Sequence, residues 1–375
     1  MTSHGALATD LGACGRCLRR SWLLTQLSGP LNCNCRADGR LIDLLALDDD
    51  DLLKALAGRR RSELRTGHGR FQSGQLARAD GIAEICRHDP RYPGALLVSA
   101  APRMLFATGG LDRLARLTAL PVVAIVGTAK ATDYGLEIAG DLARGLAASG
   151  VTVAGELADG IALAGLAGAL EGGGAPVAVL GRGLDVAAPA RSRPLLARIK
   201  RDGAAVSELP SGTPALRWAG AAATRIVASL AAATVVVEAD DSARELAGAG
   251  IAHALGRTVA AVPGRVTSRA SLGSHALLRE GARLVRGPGD VLDLLCDAAR
   301  LQPSPDRLAH LDRRLRTMLE SVGAGIDTPQ KLIGDGSDPG EVLQALSELE
   351  LMGLLARGDG GRYVSRTAIA GRIVR

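Results

Sequence analysis

Aromatic side chains are almost missing from this chain: two Phe, two Trp and three Tyr in 375 residues. Cores must therefore be filled by Ala, Val and Leu, and the bases of a nucleic acid would find few rings to stack on. Lysine is nearly missing too, present only at Lys54, Lys130, Lys200 and Lys331, so most of the 45 basic residues are arginine. An Arg- and Ala-rich bias is what a GC-rich genome writes, which makes the net charge of +6 a weak argument for a nucleic-acid partner. The positive excess lies in the amino-terminal third, around Arg59, Arg60, Arg61, Arg65 and Arg70. No apolar run approaches the length of a bilayer span, and residues 1–17 lack the charged-then-apolar layout of a secretory signal, so a cytoplasmic protein without a membrane partner is expected. Six cysteines in a chain of this size do not make a disulfide framework; they read as reduced side chains with no resident metal. The alternative is a structural zinc on Cys14 and Cys17, a C-x-x-C, together with Cys33 and Cys35, a C-x-C.

What the chain does contain is a series of short Val/Ala/Ile runs. PVVAIVG (Pro121–Gly127) is followed by the polar loop TAKATDYG (Thr128–Gly135) and an Ala/Leu-periodic segment over 136–148. That pattern predicts a buried parallel strand feeding a helix through a tight turn, the first half of a βαβ unit. VTVAG (Val151–Gly155), APVAVLG (Ala175–Gly181), AAVSEL (Ala204–Leu209), TVVVEA (Thr234–Ala239) and TVAAVPG (Thr258–Gly264) recur at similar spacing. The expected fold class is α/β, an extended Rossmann-like open parallel sheet.

The flanks differ. Residues 1–118 read as a small, mostly helical region, with helices over 17–29 and 41–58 and a Pro-containing connector (88–110) that ends in one strand. The sheet domain takes 119–296, and Pro, Ser and charge over 297–308 mark a linker. In 309–375, helical patterns at 311–322, 328–335 and 338–355 precede two apolar edges around a Gly-rich turn, the order of a winged helix with a formal charge near zero. That neutrality leaves two roles open for it, groove reading and protein contact.

Between about Asp89 and Leu295 the chain resembles the DNA-processing protein A family (DprA, also called Smf). The resemblance rests on AIVGTAKATDYG (124–135), GGGAPVAVLGRGLD (172–185), VSELPSGT (206–213), TRIVASL (224–230), VVVEA (235–239), GRTVAAVPG (256–264), LGSHALLREGARLV (272–285) and, upstream, DPRYP (89–93). It implies a single-stranded DNA-binding protein that protects the strand and loads the RecA recombinase in DNA-mediated transformation and recombination, works as a homodimer, and has neither cofactor nor catalytic residues. It also implies a phosphate pocket at the end of the first strand, formed by Gly127, Thr128 and Lys130, with Gly160 and Gly181 beside it and Arg191, Arg193 and Arg225 along the DNA backbone; Lys200 and Arg201 are further candidates.

Several family positions are altered in this sequence. Ala129 stands where the family has arginine, Gly155 and Ala162 replace a serine and an aspartate, Gly165–Leu166 replace Ala–His, only Arg225 survives of an R-N-R, and SARELAGA (242–249) replaces R-S-G-S-L-x-T-A and gains Glu245. The alternatives are an eroded scaffold that binds protein rather than DNA, and a nucleotide-hydrolysing Rossmann-like enzyme. The second lacks its loop: PGRVTS (Pro263–Ser268) is not P-G-G-x-G-T. GTAKAT (127–132) likewise does not supply the G-x-G-x-x-G of a dinucleotide site.

Overall fold

Val122–Val126 (β3) is apolar on both faces and buried over its first four residues, which is how a central parallel strand must read when helices lie above and below it. The computed structural model describes residues 12–34, 40–98, 101–301, 311–323, 326–333, 338–352, 354–357 and 363–365. Before β3 come five helices, α1 (Gly15–Gln26), α2 (Ser28–Asn34), α3 (Arg40–Ala46), α4 (Asp49–Leu56) and α5 (Arg61–Gly69), then β1 (Ala83–Cys86), β2 (Met104–Thr108) and α6 (Leu111–Ala119). After it come α7 (Asp133–Ala148), β4 (Thr152–Glu156), α8 (Ile161–Glu171), β5 (Val177–Val179), α9 (Arg193–Asp202), β6 (Ala204–Ser207), α10 (Arg217–Leu230), β7 (Ala233–Val236), α11 (Ala243–Ala254), β8 (Thr258–Ala261), α12 (Leu272–Arg279), β9 (Arg283–Leu284) and α13 (Pro288–Leu301).

The strands form one nine-stranded sheet in the order β1-β2-β6-β5-β4-β3-β7-β8-β9. Every pairing from β6 to β9 is parallel, whereas β2 pairs antiparallel with β6 and β1 antiparallel with β2. The six strands expected from the sequence are all present. The sheet also takes β1 and β2 from the segment assigned to the amino-terminal region. Ile85 and Leu105 share a core with Val122, Val177 and Ile226. The amino-terminal Leu23, Leu31 and Leu41 pack on Trp218 and Ala222 of α10. Cores this rich in Ala and Val let helices approach the sheet closely, and that close approach is what a chain poor in aromatics requires.

The helix expected over 41–58 is two helices. Asp48 interrupts it, its carboxylate accepting the Asp51 N–H at 2.9 Å as the N-cap of α4. Next to it, Asp49 gathers two arginines and a histidine: Arg20 at 2.8 Å, His68 Nε2 at 2.9 Å and Arg103 at 3.7 Å. Burial raises the Asp49 carboxyl, but Arg20, His68 and Arg103 outweigh it and hold the group below its ordinary value. A depressed carboxylate contributes stability above the ordinary Asp range near pH 4 and loses it as pH falls through the folded value. The amino-terminal helices are therefore expected to melt at a lower temperature at pH 3 than at pH 6, and Asp49→Asn to flatten that difference in circular-dichroism melts.

Beyond α13, which continues to Leu301, the rest of the expected linker lies outside the described residues. α14 (Arg313–Gly323), α15 (Pro329–Ile333) and α16 (Pro339–Leu351) then precede an antiparallel pair, β10 (Leu355–Arg357) with β11 (Tyr363–Ser365). Leu315, Leu319, Leu332, Leu346, Leu349 and Tyr363 form one core among them. Three helices followed by two antiparallel strands is the order expected of a winged helix; the turn between the strands lies outside the described residues.

Candidate nucleic-acid interface

In an open parallel sheet the ligand crevice opens at the carboxyl ends of the strands where the strand order reverses. Here that place lies between β3 and β7, and Glu238 occupies it. The Glu238 carbonyl accepts the Thr128 N–H at 2.7 Å. Its carboxylate accepts the Thr132 N–H at 2.9 Å and the Thr132 hydroxyl at 2.6 Å. The carboxylate thus sits at the first turn of α7, where the helix dipole would otherwise favour an outside anion. Gly135, in that same turn, has no room for a Cβ because the Glu238 carboxylate lies against it.

Consequently the expected Gly127–Thr128 cradle is not an open one. Thr128 is buried, its N–H committed to Glu238, its carbonyl accepting the Ile161 N–H at 3.2 Å and its hydroxyl accepting the Lys130 N–H at 3.1 Å. At Gly127 a Cβ would lie 2.8 Å from Ile161 Cγ1, so this glycine permits close packing. Gly160, at φ +78°, lets the loop after β4 lie on the Thr128–Ala129 backbone. Gly181 lets the end of β5 lie on α10, where a Cβ would come within 2.9 Å of the Ala219 carbonyl. All three glycines set how the loops meet.

Arg225, expected on the DNA path, is fully buried on α10 and forms an ion pair with the buried Glu208 that follows β6. The face of α10 that carries it also carries Ala222 and Ile226 inward, so its guanidinium is directed into the protein and cannot meet a phosphate outside. The altered family positions Gly155, Ala162, Gly165, Leu166 and Ala223 are buried as well. Around Gly165 a Cβ would lie 3.1 Å from Ile125, so apolar packing fills this part of the crevice. Thr224 donates to Glu156 at 2.6 Å and closes it further. The side chain of Glu245 lies outside the described residues.

Cations gather instead above β3, β4 and β5, which are adjacent in the sheet. Lys130 is exposed in the loop after β3. Arg191 and Arg193 are exposed after β5, and Arg191 forms a 3.2 Å ion pair with Asp159 from the loop after β4. In the segment after β5, between Gly181 and Gly183, Arg182 is only 9 % exposed. Its Nε and Nη2 are buried and, among the described residues, meet no hydrogen-bond partner. Burial lowers its guanidinium below the ordinary value. Lys200 is lowered too, by burial first, against the opposing Asp185 and with a smaller contribution from Arg182. The Lys200 ammonium donates to the Leu184 carbonyl at 2.7 Å, and Asp185 is engaged by the Gly212 N–H at 2.9 Å. Arg201 is paired with the adjacent Asp202 at the end of α9 that leads into β6, away from this group. Sequence reasoning missed Arg182; the available signal was a charge held between two glycines at a strand end.

Among the candidate zinc ligands, Cys14 and Cys17 do come together, but with Cys86 and His88. Cys33 is exposed on α2 outside that group, and Cys35 lies outside the described residues. The C-x-C is close in sequence yet on another element; the true neighbours arrive from the end of β1.

A mostly parallel open sheet with an antiparallel edge, a filled switch point and a cationic rim above three strand ends defines a Rossmann-like α/β binding domain. The chain belongs to the DNA recombination-mediator protein A family, the DprA/Smf proteins, whose sequence profile matches residues 83–296. It is 40 % identical over 270 residues to a DNA processing protein DprA of Mycobacterium tuberculosis (strain CDC 1551 / Oshkosh), covering 69 % of this chain and 68 % of that one. Protein Smf of Escherichia coli (strain K12) is 33 % identical over 289 residues, covering 74 % and 76 %. The crystal structure of DNA processing protein A from Streptococcus pneumoniae superposes with a TM-score of 0.60 at 28 % identity, over 74 % of this chain and 97 % of that one. DNA processing protein A from Helicobacter pylori, whose single-stranded DNA binding mode has been described structurally, shares the fold with a TM-score of 0.50 at 22 % identity, over 57 % and 96 %. The described residues contain no helix long and apolar enough to cross a membrane.

Proposed function

We propose that this protein binds single-stranded DNA without sequence preference along the carboxyl ends of β3, β4 and β5, protects it, and delivers it to the RecA recombinase. In this reading it works as a homodimer in the cytoplasm, takes no cofactor and catalyses no reaction. The observation that carries the reading is Arg182: a buried guanidinium with Nε and Nη2 unpartnered among the described residues, next to a second cation, Lys200. A buried charge with unmet donors is costly unless an anion arrives. Lys130, Arg191 and Arg193 stand at the rim where a polyanion would lie. Scarce aromatics favour backbone contact over base stacking, which predicts tolerance of sequence and strong salt dependence.

The test is an anisotropy titration of the full chain with labelled oligothymidylate and with the matching duplex. Binding is expected at about 50 mM salt, tighter for the single strand, and falling at least tenfold by about 200 mM. Absence of binding at the lower salt overturns the reading. A specific observation favours the rival scaffold reading, namely that Glu238 occupies the switch point and Glu208 sequesters Arg225; a DNA-inert protein that still pulls down RecA would establish it.

A further inference from the structure

We infer that Cys14, Cys17, Cys86 and His88 form a structural zinc site that fastens the amino-terminal helices to the edge of the sheet. Cys14 is the N-cap residue of α1 and Cys17 lies in its first turn; Cys86 is the last residue of β1 and His88 follows two residues later. The three sulfurs and one ring nitrogen all lie within 4.8 Å of one another. His88 Nδ1 is 3.4 Å from Cys14 Sγ, 3.6 Å from Cys17 Sγ and 3.6 Å from Cys86 Sγ. A tetrahedral zinc with Zn–S near 2.3 Å and Zn–N near 2.05 Å puts sulfur and nitrogen about 3.6 Å apart and two sulfurs about 3.8 Å apart. The three sulfur–nitrogen distances therefore already match the ligand-to-ligand spacing of a coordinated ion, and every pair of donors lies within 4.8 Å.

The surroundings fit a metal better than a disulfide. Three sulfurs converge on one imidazole nitrogen, an arrangement that a Cys14–Cys17 bridge would not call for. The Cys14 N–H donates to Cys86 Sγ at 3.4 Å, so the amino end of α1 meets the end of β1 at the cluster itself. Four protein ligands complete a tetrahedron and leave no open position, the mark of a structural rather than a catalytic zinc. Cys17 and Cys86 also belong to the core that contains Leu18, Phe71, Leu76 and Phe106. The site thus joins α1 to β1 across a sequence separation of 72 residues, where fixing a long loop has a large effect on the unfolded ensemble.

The experiment is elemental analysis of the full chain purified under reducing conditions without chelator, followed by cobalt substitution of the metal-stripped protein. About one zinc per chain is expected, together with the intense ligand-field bands and thiolate charge-transfer absorption of tetrahedral cobalt. His88→Ala alters an exposed residue and should leave the fold intact, while lowering zinc affinity at least tenfold and changing the cobalt spectrum. Cys33→Ser, outside the group, should retain a full equivalent. Trace zinc with no tetrahedral cobalt spectrum would overturn the assignment. Undiminished affinity and an unchanged cobalt spectrum in both His88→Ala and Cys86→Ser would do the same.

Discussion

Arg225→Ala lowers the free energy of unfolding by about 3–5 kcal/mol, read as a fall in denaturant midpoint at unchanged slope. The cause is Glu208, which is buried at the end of β6 and would be left as an uncompensated carboxylate. Removing both charges should be far milder: Arg225→Met with Glu208→Leu keeps roughly the same volume without a charge, and falls within about 1–2 kcal/mol of the parent in either direction. DNA affinity per folded molecule should be the same in the parent and the double variant. A stable Arg225→Ala protein with weakened DNA binding would contradict the buried-pair account and return Arg225 to the DNA path.

The sequence made the central strands legible because β3 to β8 are mostly buried and so are written as short runs dominated by Val and Ala. β1 and β9 escaped because they are edge strands, less fully covered, whose residues Ala83–Cys86 and Arg283–Leu284 mix polar with apolar and show no apolar run. The packing of the amino-terminal helices was not legible either: Leu23 and Leu41 show helical spacing, but nothing local says that their partner is Trp218. Site residues were the least legible. Lys130, Arg191 and Arg193 could be placed on loops at strand ends because loop position follows from strand position. Whether an arginine faces outward could not, since Arg225 and Glu208 are 17 residues apart and meet only once α10 packs on the sheet. The same holds for the cysteines, where proximity in sequence suggested Cys33 and Cys35 but the sheet delivers Cys86 and His88 to Cys14 and Cys17.

Arg182→Ala should move stability and DNA affinity in opposite directions, which separates it from every arginine whose role is structural. Without DNA, the parent keeps a guanidinium in the interior with Nε and Nη2 unmatched among the described residues and Lys200 as a like-charged neighbour. Deleting it removes a desolvation cost of about 1–3 kcal/mol against a smaller loss of packing by the side-chain stem, so the free protein should be as stable as the parent or more so. With DNA present, the same deletion removes a charge-assisted contact to phosphate, and affinity at about 50 mM salt should fall by roughly tenfold to a hundredfold. If one phosphate contact is lost, the slope of log affinity against log salt becomes shallower by about 0.7. Arg193→Ala, at the exposed rim, should show the shallower slope with no gain in stability. The pair of measurements, a melt without DNA and a salt series with it, therefore assigns the role. A stability loss with an unchanged salt slope would make Arg182 a packing residue and would leave the strand-end crevice without its deepest cation.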